Sequence, residues 1–362
     1  MPSLFDPIKL GAIEAPNRIL MAPLTRGRAT RDHVPTDIMK TYYAQRAGAG
    51  LIISEATGIS REGLGWPFAP GLWTESQVEG WKPVVAAVHE AGGRIVAQLW
   101  HMGRLVPESV SGMQPVSASA TRAPNRLHSY DGKQEPNEAR AATLDDIARI
   151  LADYAAAARN AIAAGFDGVQ VHGANGYLVD QFLRDGTNHR HDDYGGPVAN
   201  RLRFMRDVVA AVAGEVGIER TGIRLSPIGE SQGANDSDNE ALFVAAAAEL
   251  EALGVPWLEL REPGPQSTFG ASDQPAVSPA IRKVYSGKIV LNSDYDGTSG
   301  AARLAEGVAD AISFGRPFIA NPDLVERIAG EAPLNTPDFR TFYSQGPEGY
   351  TDYPALGEQE AA

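Results

Sequence analysis

The 362-residue sequence predicts an α/β fold, a single (β/α)8 barrel of the TIM type, and three observations support this prediction. Short apolar runs alternate with Ala- and Leu-rich stretches, which is typical of βαβ units and a parallel sheet. Eight such runs follow one another without a linker. Each run is almost continuously apolar, as expected for strands that are covered on both faces. The predicted strands are Arg18–Leu24, Leu51–Ala56, Arg94–His101, Gly168–His172, Thr221–Ser226, Trp257–Arg261, Lys288–Asn292 and Ala311–Gly315.

An open, doubly wound sheet of eight strands is the alternative fold. The dinucleotide-binding form of that sheet carries a G-x-G-x-x-G motif in the turn after its first strand. The corresponding segment of this chain, Pro23–Pro35, is rich in Arg and lacks the motif. This difference argues against a Rossmann domain and favours the closed barrel.

Capping residues predict where several helices begin and end. The predicted starts are Thr36 before Asp37–Gly48, Thr143 with Asp146 as a capping box before a helix that runs to Ala164, and Asn321 followed by Pro322. A further helix is predicted over Pro279–Tyr285. Left-handed caps are expected at Gly165, Gly254 and Gly307, which follow helical runs.

A long insertion interrupts the alternation after the third strand. Residues 102–142 are polar and contain four prolines, and loops of this length in compact domains are usually functional. In a barrel this loop lies over the carboxyl ends of the strands, so we expect a lid that contains a hairpin. The tail, residues 332–362, is too irregular for another βα unit and is expected over or beside the same face. Residues 1–362 would then form one domain.

The formal net charge of −13 and the pI of about 5.0 disfavour nucleic acid and anionic membrane surfaces as partners. The chain has no Cys, which excludes disulfides, thiolate zinc sites and Cys-ligated iron–sulfur clusters, and we expect no metal. No apolar run approaches the ~20 residues of a membrane span, and the first residues lack the pattern of a signal peptide. The expectation is a cytoplasmic protein that is a monomer or a homodimer.

The polar residues with the most chemical content follow the fourth strand. His172, Asn175 and Tyr177 lie at its carboxyl end, where barrels of this type keep their active sites. His172 and Asn175 are two donors that could bind a carbonyl or nitro oxygen, and the Tyr177 phenol could protonate a neighbouring carbon. A single His would more often be a satisfied core residue, but the three residues together favour a site.

Four further strand ends carry residues that suit either a ligand or the fold alone. Thr25 offers a hydroxyl, although a Thr often satisfies its own turn. Ala56 lets a flat ligand approach the backbone, or it simply packs. Gln98 needs partners inside an apolar run, either from a ligand or from neighbouring backbone. Arg224 needs an anion, which is either a carboxylate on a neighbouring strand or a ligand that gains negative charge.

The loops after the seventh and eighth strands are the usual phosphate site of these barrels. They contain Ser293 with Asp294, and Gly315 with Arg316. Gly315 permits close approach of the backbone, and the Arg316 guanidinium matches phosphate oxygens, although a structural ion pair is the alternative. A phosphate here, a flat ring over the barrel mouth and an Arg beside an anionic edge together fit FMN.

These residues resemble the old yellow enzyme family of flavin-dependent ene-reductases, and in particular its bacterial members that reduce 2-cyclohexenone, N-ethylmaleimide and similar compounds. The resemblance covers nearly the whole chain. The motifs that carry it are Asn17-Arg18 with Met21 to Arg26, Gln98 to His101 with Gly103-Arg104, His172 to Leu178 with Gln181 to Leu183, Asn188 to Arg201, Phe314 to Leu324, and Gly349 to Pro354.

The resemblance implies an FMN barrel that takes hydride from NADH or NADPH and passes it to the β-carbon of an activated alkene by a ping-pong route. His172 and Asn175 would bind the activating oxygen, and Tyr177 would protonate the α-carbon. The implied isoalloxazine and ribityl contacts are Pro23, Thr25, Ala56, Gln98 and Arg224. The implied phosphate contacts are Gly315 and Arg316 with the backbone near Ser293 and Asp294. The expected walls of the substrate pocket are Trp66, Trp100, Phe269 and Tyr343.

Three other functions remain open at this point. The same site suits a reductase of nitro compounds or nitrate esters. A phosphate-binding aldolase or isomerase without flavin would use a Lys or Glu at a strand end, and no Lys is found there. A non-catalytic binding protein would leave Gln98 and Arg224 without a clear purpose.

Overall fold

In a computed structural model, which describes residues 2–267 and 270–358, eight parallel strands close into a barrel. Each strand pairs with the next, and the eighth pairs with the first. This arrangement confirms the predicted (β/α)8 barrel. The strands, labelled β1 to β8 in chain order, are Ile19–Met21, Ile52–Ile53, Ile95–Trp100, Gly168–Gly173, Thr221–Leu225, Trp257–Arg261, Lys288–Asn292 and Ala311–Phe314.

The first two strands are shorter than predicted, since Leu24 and Ala56 lie beyond the ends of β1 and β2. Beyond that point a side chain, rather than strand pairing, joins the two chain segments. The Glu55 carboxylate accepts hydrogen bonds from the backbone N–H groups of Arg26 and Gly27, both at 3.1 Å. These bonds hold the β1 and β2 loops together at the carboxyl-end face.

The helices and the remaining strands surround the barrel or cover its ends. The α-helices are Asp37–Ala44, Glu75–Glu90, Glu108–Ser111, Leu144–Ala163, Leu178–Leu183, Val198–Val216, Asn239–Ala252, Ser278–Ile281, Gly297–Ala305, Arg316–Ala320 and Leu324–Ala329. The 3-10 helices are Gly103–Leu105, Ile218–Arg220 and Phe339–Thr341. The other strands are Ile8–Leu10, Ile13–Ala15, Thr57–Gly58, Val116–Ser117, Leu127–Ser129, Gly132–Gln134 and Arg140–Ala141. Within the described residues, no helix has the length and apolar character needed to cross a membrane.

An amino-terminal hairpin closes the bottom of the barrel. Its strands, Ile8–Leu10 and Ile13–Ala15, pair antiparallel and place alternate residues in the interior. The buried side chains of the hairpin pack against residues of the barrel strands, including Leu20, Val96 and Trp257. The lower interior is therefore filled with apolar side chains, and polar side chains are concentrated toward the other end.

Several predicted helix signals are confirmed by the hydrogen bonds. The Thr143 hydroxyl accepts from the Asp146 N–H at 3.1 Å, and the Asp146 carboxylate accepts from the Thr143 N–H at 2.9 Å. This reciprocal pair is the predicted capping box. The three predicted left-handed glycines have φ values of +100° at Gly165, +74° at Gly254 and +72° at Gly307.

Other predicted helix ends differ from the structure, and two of the predicted capping side chains make other contacts. The first helix begins at Asp37 as predicted, but the Thr36 hydroxyl donates to the Arg28 carbonyl at 2.7 Å instead of capping the helix, and the helix ends at Ala44 rather than at Gly48. The last predicted helix begins at Leu324, not after Asn321. Asn321 instead donates to the Pro317 carbonyl and accepts from the Asn335 N–H. The helix predicted over Pro279–Tyr285 covers only Ser278–Ile281.

The insertion 102–142 is attached to the helix that follows β4. It contains an antiparallel hairpin between Leu127–Ser129 and Gly132–Gln134. The Gln181 side chain accepts from the Arg104 N–H at 3.1 Å and from the Ser117 hydroxyl at 2.8 Å. One buried amide thus ties two parts of the insertion to the carboxyl-end face.

The tail is held against the β1 loop by buried arginines. Arg26 donates to the Gly349 carbonyl at 2.7 Å and to the Phe342 carbonyl at 3.1 Å. Arg28 donates to the carbonyls of Thr341 and Phe342, both at 2.9 Å. Since the β1 loop leaves the carboxyl end of its strand, the tail lies on that same face.

Arg46 joins the first helix, the helix Arg316–Ala320 that follows β8, and the tail. Its guanidinium is fully buried and donates to the carbonyls of Phe318 at 2.7 Å, Tyr42 at 2.8 Å and Ile319 at 2.8 Å. It also lies 3.7 Å from the centre of the Tyr42 ring, which stacks on Tyr350 at 4.0 Å. A planar fork is needed to satisfy three carbonyls at once.

Replacing Arg46 with Lys should lower the free energy of unfolding by about 2–4 kcal/mol, because one ammonium group leaves buried carbonyls without a donor. Urea denaturation followed by circular dichroism measures this change. The matched control is Lys82→Ala, which removes an exposed cation paired with Glu79 and should leave the midpoint nearly unchanged. Equal stability of Arg46→Lys and the wild type would contradict the anchoring role of the guanidinium.

Candidate active site

A tight turn after β4 places Tyr177 at the barrel mouth. Asn175 and Gly176 both have positive φ values, +60° and +77°, so the chain reverses within two residues. The Asn175 N–H donates to the Ser226 hydroxyl at 2.8 Å, and the Gly176 N–H donates to the Asp180 carboxylate at 2.9 Å. Asn tolerates the left-handed conformation better than other non-Gly residues, which explains its position in the turn.

The structure brings three aromatic rings together above β3 and β4. The Tyr177 ring meets the His172 ring edge to face, with centroids 4.9 Å apart. It meets the Trp100 ring in the same way, also at 4.9 Å. His172 and Trp100 are nearly parallel, at 6.3 Å. These contacts fix the imidazole and the phenol on one side of the mouth.

The surroundings keep His172 neutral and Tyr177 protonated. Burial, together with the nearby Arg224 guanidinium, holds the pKa of His172 well below its ordinary value. Burial raises the pKa of Tyr177 above its ordinary value. Among the described residues, the buried His172 Nδ1 has no hydrogen-bond partner. The site therefore presents a neutral imidazole and an uncharged phenol.

Arg261, at the end of β6, orients the side chain of Asn175. Its Nη1 donates to the Asn175 Oδ1 at 3.4 Å. A guanidinium only donates, so the amide oxygen faces Arg261 and the Nδ2 hydrogens remain available on the other side. Burial and the charges of Arg224 and Arg316 lower the pKa of Arg261 to about 10, and it stays a cation at neutral pH.

Gln98 is part of a buried polar chain that crosses the barrel. Its Nε2 donates to the Gln170 Oε1 at 2.7 Å, and the Gln170 Nε2 donates to the Glu259 carboxylate at 2.9 Å. The Ser313 hydroxyl donates to the other oxygen of that carboxylate at 2.6 Å. The partner of Gln98 is thus a side chain on the adjacent strand, rather than the backbone considered in the sequence analysis.

Arg224 has the carboxylate neighbour that the sequence analysis raised as one alternative. Its Nε lies 3.6 Å from the Glu259 carboxylate, and its Nη2 donates to the Asn292 Oδ1 at 2.5 Å. The Nε itself makes no hydrogen bond within the described part of the chain. The guanidinium is therefore paired in charge with Glu259, while at least one of its N–H donors has no hydrogen-bond partner.

The loops after β1 and β2 place the small and hydroxyl residues that were expected near a ring. Pro23 and Thr25 are partly exposed at the mouth. In the described structure the Thr25 hydroxyl bonds to no other residue, so Thr25 does not satisfy its own turn. Ala56 is buried in an apolar cluster with Trp100 and Met102, which supports the packing interpretation as well as the ligand one.

The predicted phosphate residues also lie together. Arg316 forms an ion pair with Asp294, and the Ser267 hydroxyl contacts both Asp294 and Ser293. The structural ion pair considered in the sequence analysis is therefore present. A Cβ placed on Gly315 would meet only Leu24, at 3.4 Å, so its backbone is open to close approach.

Two of the predicted pocket walls form a second aromatic group. Trp66 lies 5.1 Å from Tyr343 and 4.5 Å from the His128 ring of the insertion, measured between ring centres. Trp100 is fully buried and makes its ring contacts with His172 and Tyr177 instead. Phe269 lies outside the described residues.

Sequence reasoning did not identify Gln170, Glu259 and Arg261. Each is a polar or charged residue inside an apolar strand, which is the same signal that identified Gln98 and Arg224. His128 was likewise missed, because the hairpin that carries it has no strong sequence pattern.

The mouth of the barrel fits a flat cofactor with a phosphate at one end. Arg224, whose Nε has no hydrogen-bond partner in the described structure, and the partly exposed Thr25 offer polar groups for a ring. Gly315 and Arg316, in the loop after β8, supply an open backbone and a cation. These donors match the polar edge and the phosphate of FMN.

Comparison with known proteins gives the family. Residues 3–335 match the NADH:flavin oxidoreductase / NADH oxidase family. The chain is similar to 12-oxophytodienoate reductase 1 of Oryza sativa subsp. japonica, with 41% identity over 360 residues that cover 98% of this chain and 93% of the relative. Putative 12-oxophytodienoate reductase 4 of the same organism is 41% identical over 362 residues, covering 99% and 94% of the two chains.

Two solved structures are similar over the whole length. The old yellow enzyme homologue from Zymomonas mobilis is 61% identical, with a TM-score of 0.97 and coverage of 98% of this chain and 100% of that one. Morphinone reductase in complex with tetrahydroNAD is 46% identical, with a TM-score of 0.93 and 99% coverage of both chains. The chain therefore belongs to the NADH:flavin oxidoreductase family as an old yellow enzyme, an oxidoreductase that depends on FMN and a nicotinamide cofactor.

Proposed function

We propose that this enzyme uses NADH or NADPH to reduce carbon–carbon double bonds conjugated to a carbonyl or nitro group. The observation that carries the proposal is the pairing of a neutral imidazole with a protonated phenol at one side of the barrel mouth. His172 and Tyr177 lie 4.9 Å apart between ring centres, beside Asn175. Two neutral donors and one acid are what reduction of a polarised alkene requires.

FMN is expected to lie across the carboxyl ends of the strands. Pro23, Thr25, Ala56, Gln98 and Arg224 would contact the ring and the ribityl chain. Gly315, Arg316 and the backbone at Ser293 and Asp294 would hold the phosphate. When bound, FMN would supply the hydride-transfer chemistry that connects NAD(P)H with the alkene, in the expected ping-pong order.

His172 and Asn175 would bind and polarise the activating oxygen. A neutral imidazole donates one hydrogen bond without adding a full charge, and the Asn175 amide is turned by Arg261 so that its Nδ2 faces away from the guanidinium. Two donors that converge on an oxygen stabilise the negative charge that develops there as the β-carbon gains hydride.

Tyr177 would deliver the proton to the α-carbon. Its raised pKa keeps the hydroxyl protonated at neutral pH, so the proton is present when negative charge builds up on the alkene. The edge-to-face contacts with Trp100 and His172 hold the phenol in place. Positioning of this kind is a large part of what an acid contributes.

The relatives support reductase chemistry on organic substrates. Those named here are called 12-oxophytodienoate reductase and morphinone reductase, and one was solved with a nicotinamide analogue. Reduction of nitro compounds or nitrate esters is the second candidate, since the same donors suit a nitro oxygen. Family membership excludes the flavin-free aldolase or isomerase considered earlier.

Changing Tyr177 to Phe should slow reduction of 2-cyclohexenone by about 10²–10⁴-fold, because the carbon loses its proton donor. The rate at which NADPH reduces the enzyme should stay within about twofold of the wild-type rate, since that step needs no acid. Stopped-flow absorbance measures the two half-reactions separately. An undiminished rate of alkene reduction would remove the acid role and leave solvent as the donor. Denitration of a nitrate ester, which forms no C–H bond, serves as the internal control.

Changing His172 and Asn175 together to Ala should weaken binding of p-hydroxybenzaldehyde by about 100-fold, because the phenolate oxygen loses two donors. Titration of the long-wavelength charge-transfer band measures the affinity. Asn137→Ala, in the exposed part of the insertion, is the matched control.

Because the pKa of His172 is far below its ordinary value, the affinity of the wild-type enzyme for the phenol between pH 6 and 9 should follow the titration of the phenol alone. An affinity that falls with a second ionisation near the ordinary histidine pKa would contradict the neutral imidazole.

Arg316→Gln should weaken FMN binding by at least about tenfold, because the phosphate loses a charge-assisted contact. Asp294→Asn should have the opposite effect, since it frees the guanidinium and removes a negative charge near the phosphate. Quenching of flavin fluorescence during reconstitution of the apoprotein measures both. If the pair is only structural, both variants will lose stability and neither will change FMN affinity selectively.

A further inference from the structure

A carboxylate lies inside the barrel below the residues expected to meet FMN. Glu259 is in the middle of β6, is fully buried, and is in register with Arg224 on β5. It accepts hydrogen bonds from Gln170 at 2.9 Å and from Ser313 at 2.6 Å, and it lies 3.6 Å from the Arg224 Nε. A buried carboxylate with this many partners is expensive to desolvate, and the contacts above compensate for that cost.

The charge of Glu259 determines which way the neighbouring amides point. A carboxylate only accepts, so Gln170 must turn its NH2 group toward Glu259 and its Oε1 toward Gln98. Gln98 must then donate one N–H to that oxygen, at 2.7 Å. Its Oε1 and its second N–H are left for other partners. The Glu259 carboxylate thus fixes the orientation of the Gln170 amide, which in turn fixes that of the Gln98 amide.

We propose that Glu259 is a positioning residue that sets both the hydrogen-bond pattern and the net charge presented to FMN. The inference rests on the proposed placement of FMN against Gln98 and Arg224. The flavin ring carries an N–H donor flanked by two carbonyl oxygens. The free acceptor and donor of an ordered Gln98 are complementary to that edge.

The second effect of Glu259 is on the charge beside the ring. Arg224 alone would favour the negative charge that the ring gains on reduction. Glu259, at 3.6 Å from its guanidinium, offsets part of that attraction. The pair therefore holds the reduction potential of bound FMN lower than an unpaired Arg224 would.

The test is the reduction potential of bound FMN in Glu259→Gln, measured by equilibration with a reference dye. We expect a more positive potential. Reduced FMN should gain at least about tenfold in affinity relative to oxidised FMN, which corresponds to ~30 mV for a two-electron couple. Ser313→Ala is the matched control, because it removes a hydrogen bond to Glu259 but keeps the charge. A potential that is unchanged or more negative in Glu259→Gln overturns the charge effect.

A second variant tests the ordering of the amides even if Glu259→Gln does not fold. Gln170→Leu leaves Glu259 and Arg224 in place and removes the hydrogen bonds that connect Glu259 with Gln98. FMN affinity should fall by about tenfold while the potential changes little. Unchanged FMN affinity in this variant overturns the ordering role.

Both measurements need bound FMN but no alkene, so they do not depend on the proposed substrate. The proposed placement of FMN is tested separately by Gln98→Ala, which should weaken FMN binding. Normal FMN affinity in Gln98→Ala would overturn the placement itself, independently of the alkene chemistry.

Discussion

The upper interior of this barrel is organised by the pairing of Arg224 with Glu259. Two opposite charges on adjacent strands are held 3.6 Å apart where nearly all solvent is excluded. Neither could remain there alone, since an unpaired buried charge costs several kcal/mol. Each also needs further hydrogen bonds, and these recruit Gln170, Asn292 and Ser313 from three other strands. The polar layer below the mouth follows from this one pair.

That layer separates two chemically different halves of the barrel. Below it, the amino-terminal hairpin and apolar strand residues fill the interior. Above it, the neutral His172 and the protonated Tyr177 face the mouth from the β4 side. The charge of Arg224 reaches His172 and helps to keep its imidazole neutral. The electrostatics of the expected substrate side and of the expected cofactor side are therefore linked through one guanidinium.

The barrel and the residues of the β4 end could be predicted because their signals are local. Apolar runs, the Thr143 capping box and the His172 to Tyr177 spacing are all properties of neighbouring residues. The partners of Gln98 and Arg224 could not be predicted, because strand register decides which side chains meet. The Thr36 hydroxyl does not cap its helix for a different reason, since the loop after β1 folds back and offers it the Arg28 carbonyl. The pairing of Arg316 with Asp294 was one of two alternatives that the sequence left open, because the sequence does not show whether two loops bring their charged side chains together.

The arginine anchors of the tail have a consequence for how the enzyme is made. Arg26 and Arg28 belong to the loop after β1, but their carbonyl partners at Phe342 and Gly349 follow all eight barrel strands in the chain. Tyr343, which packs against Trp66, arrives with the same segment. During translation the eight barrel strands all emerge before these groups do. The opening above the barrel thus takes its final shape only after the tail has been synthesised, and a chain cut before Phe342 would lack these contacts at the rim.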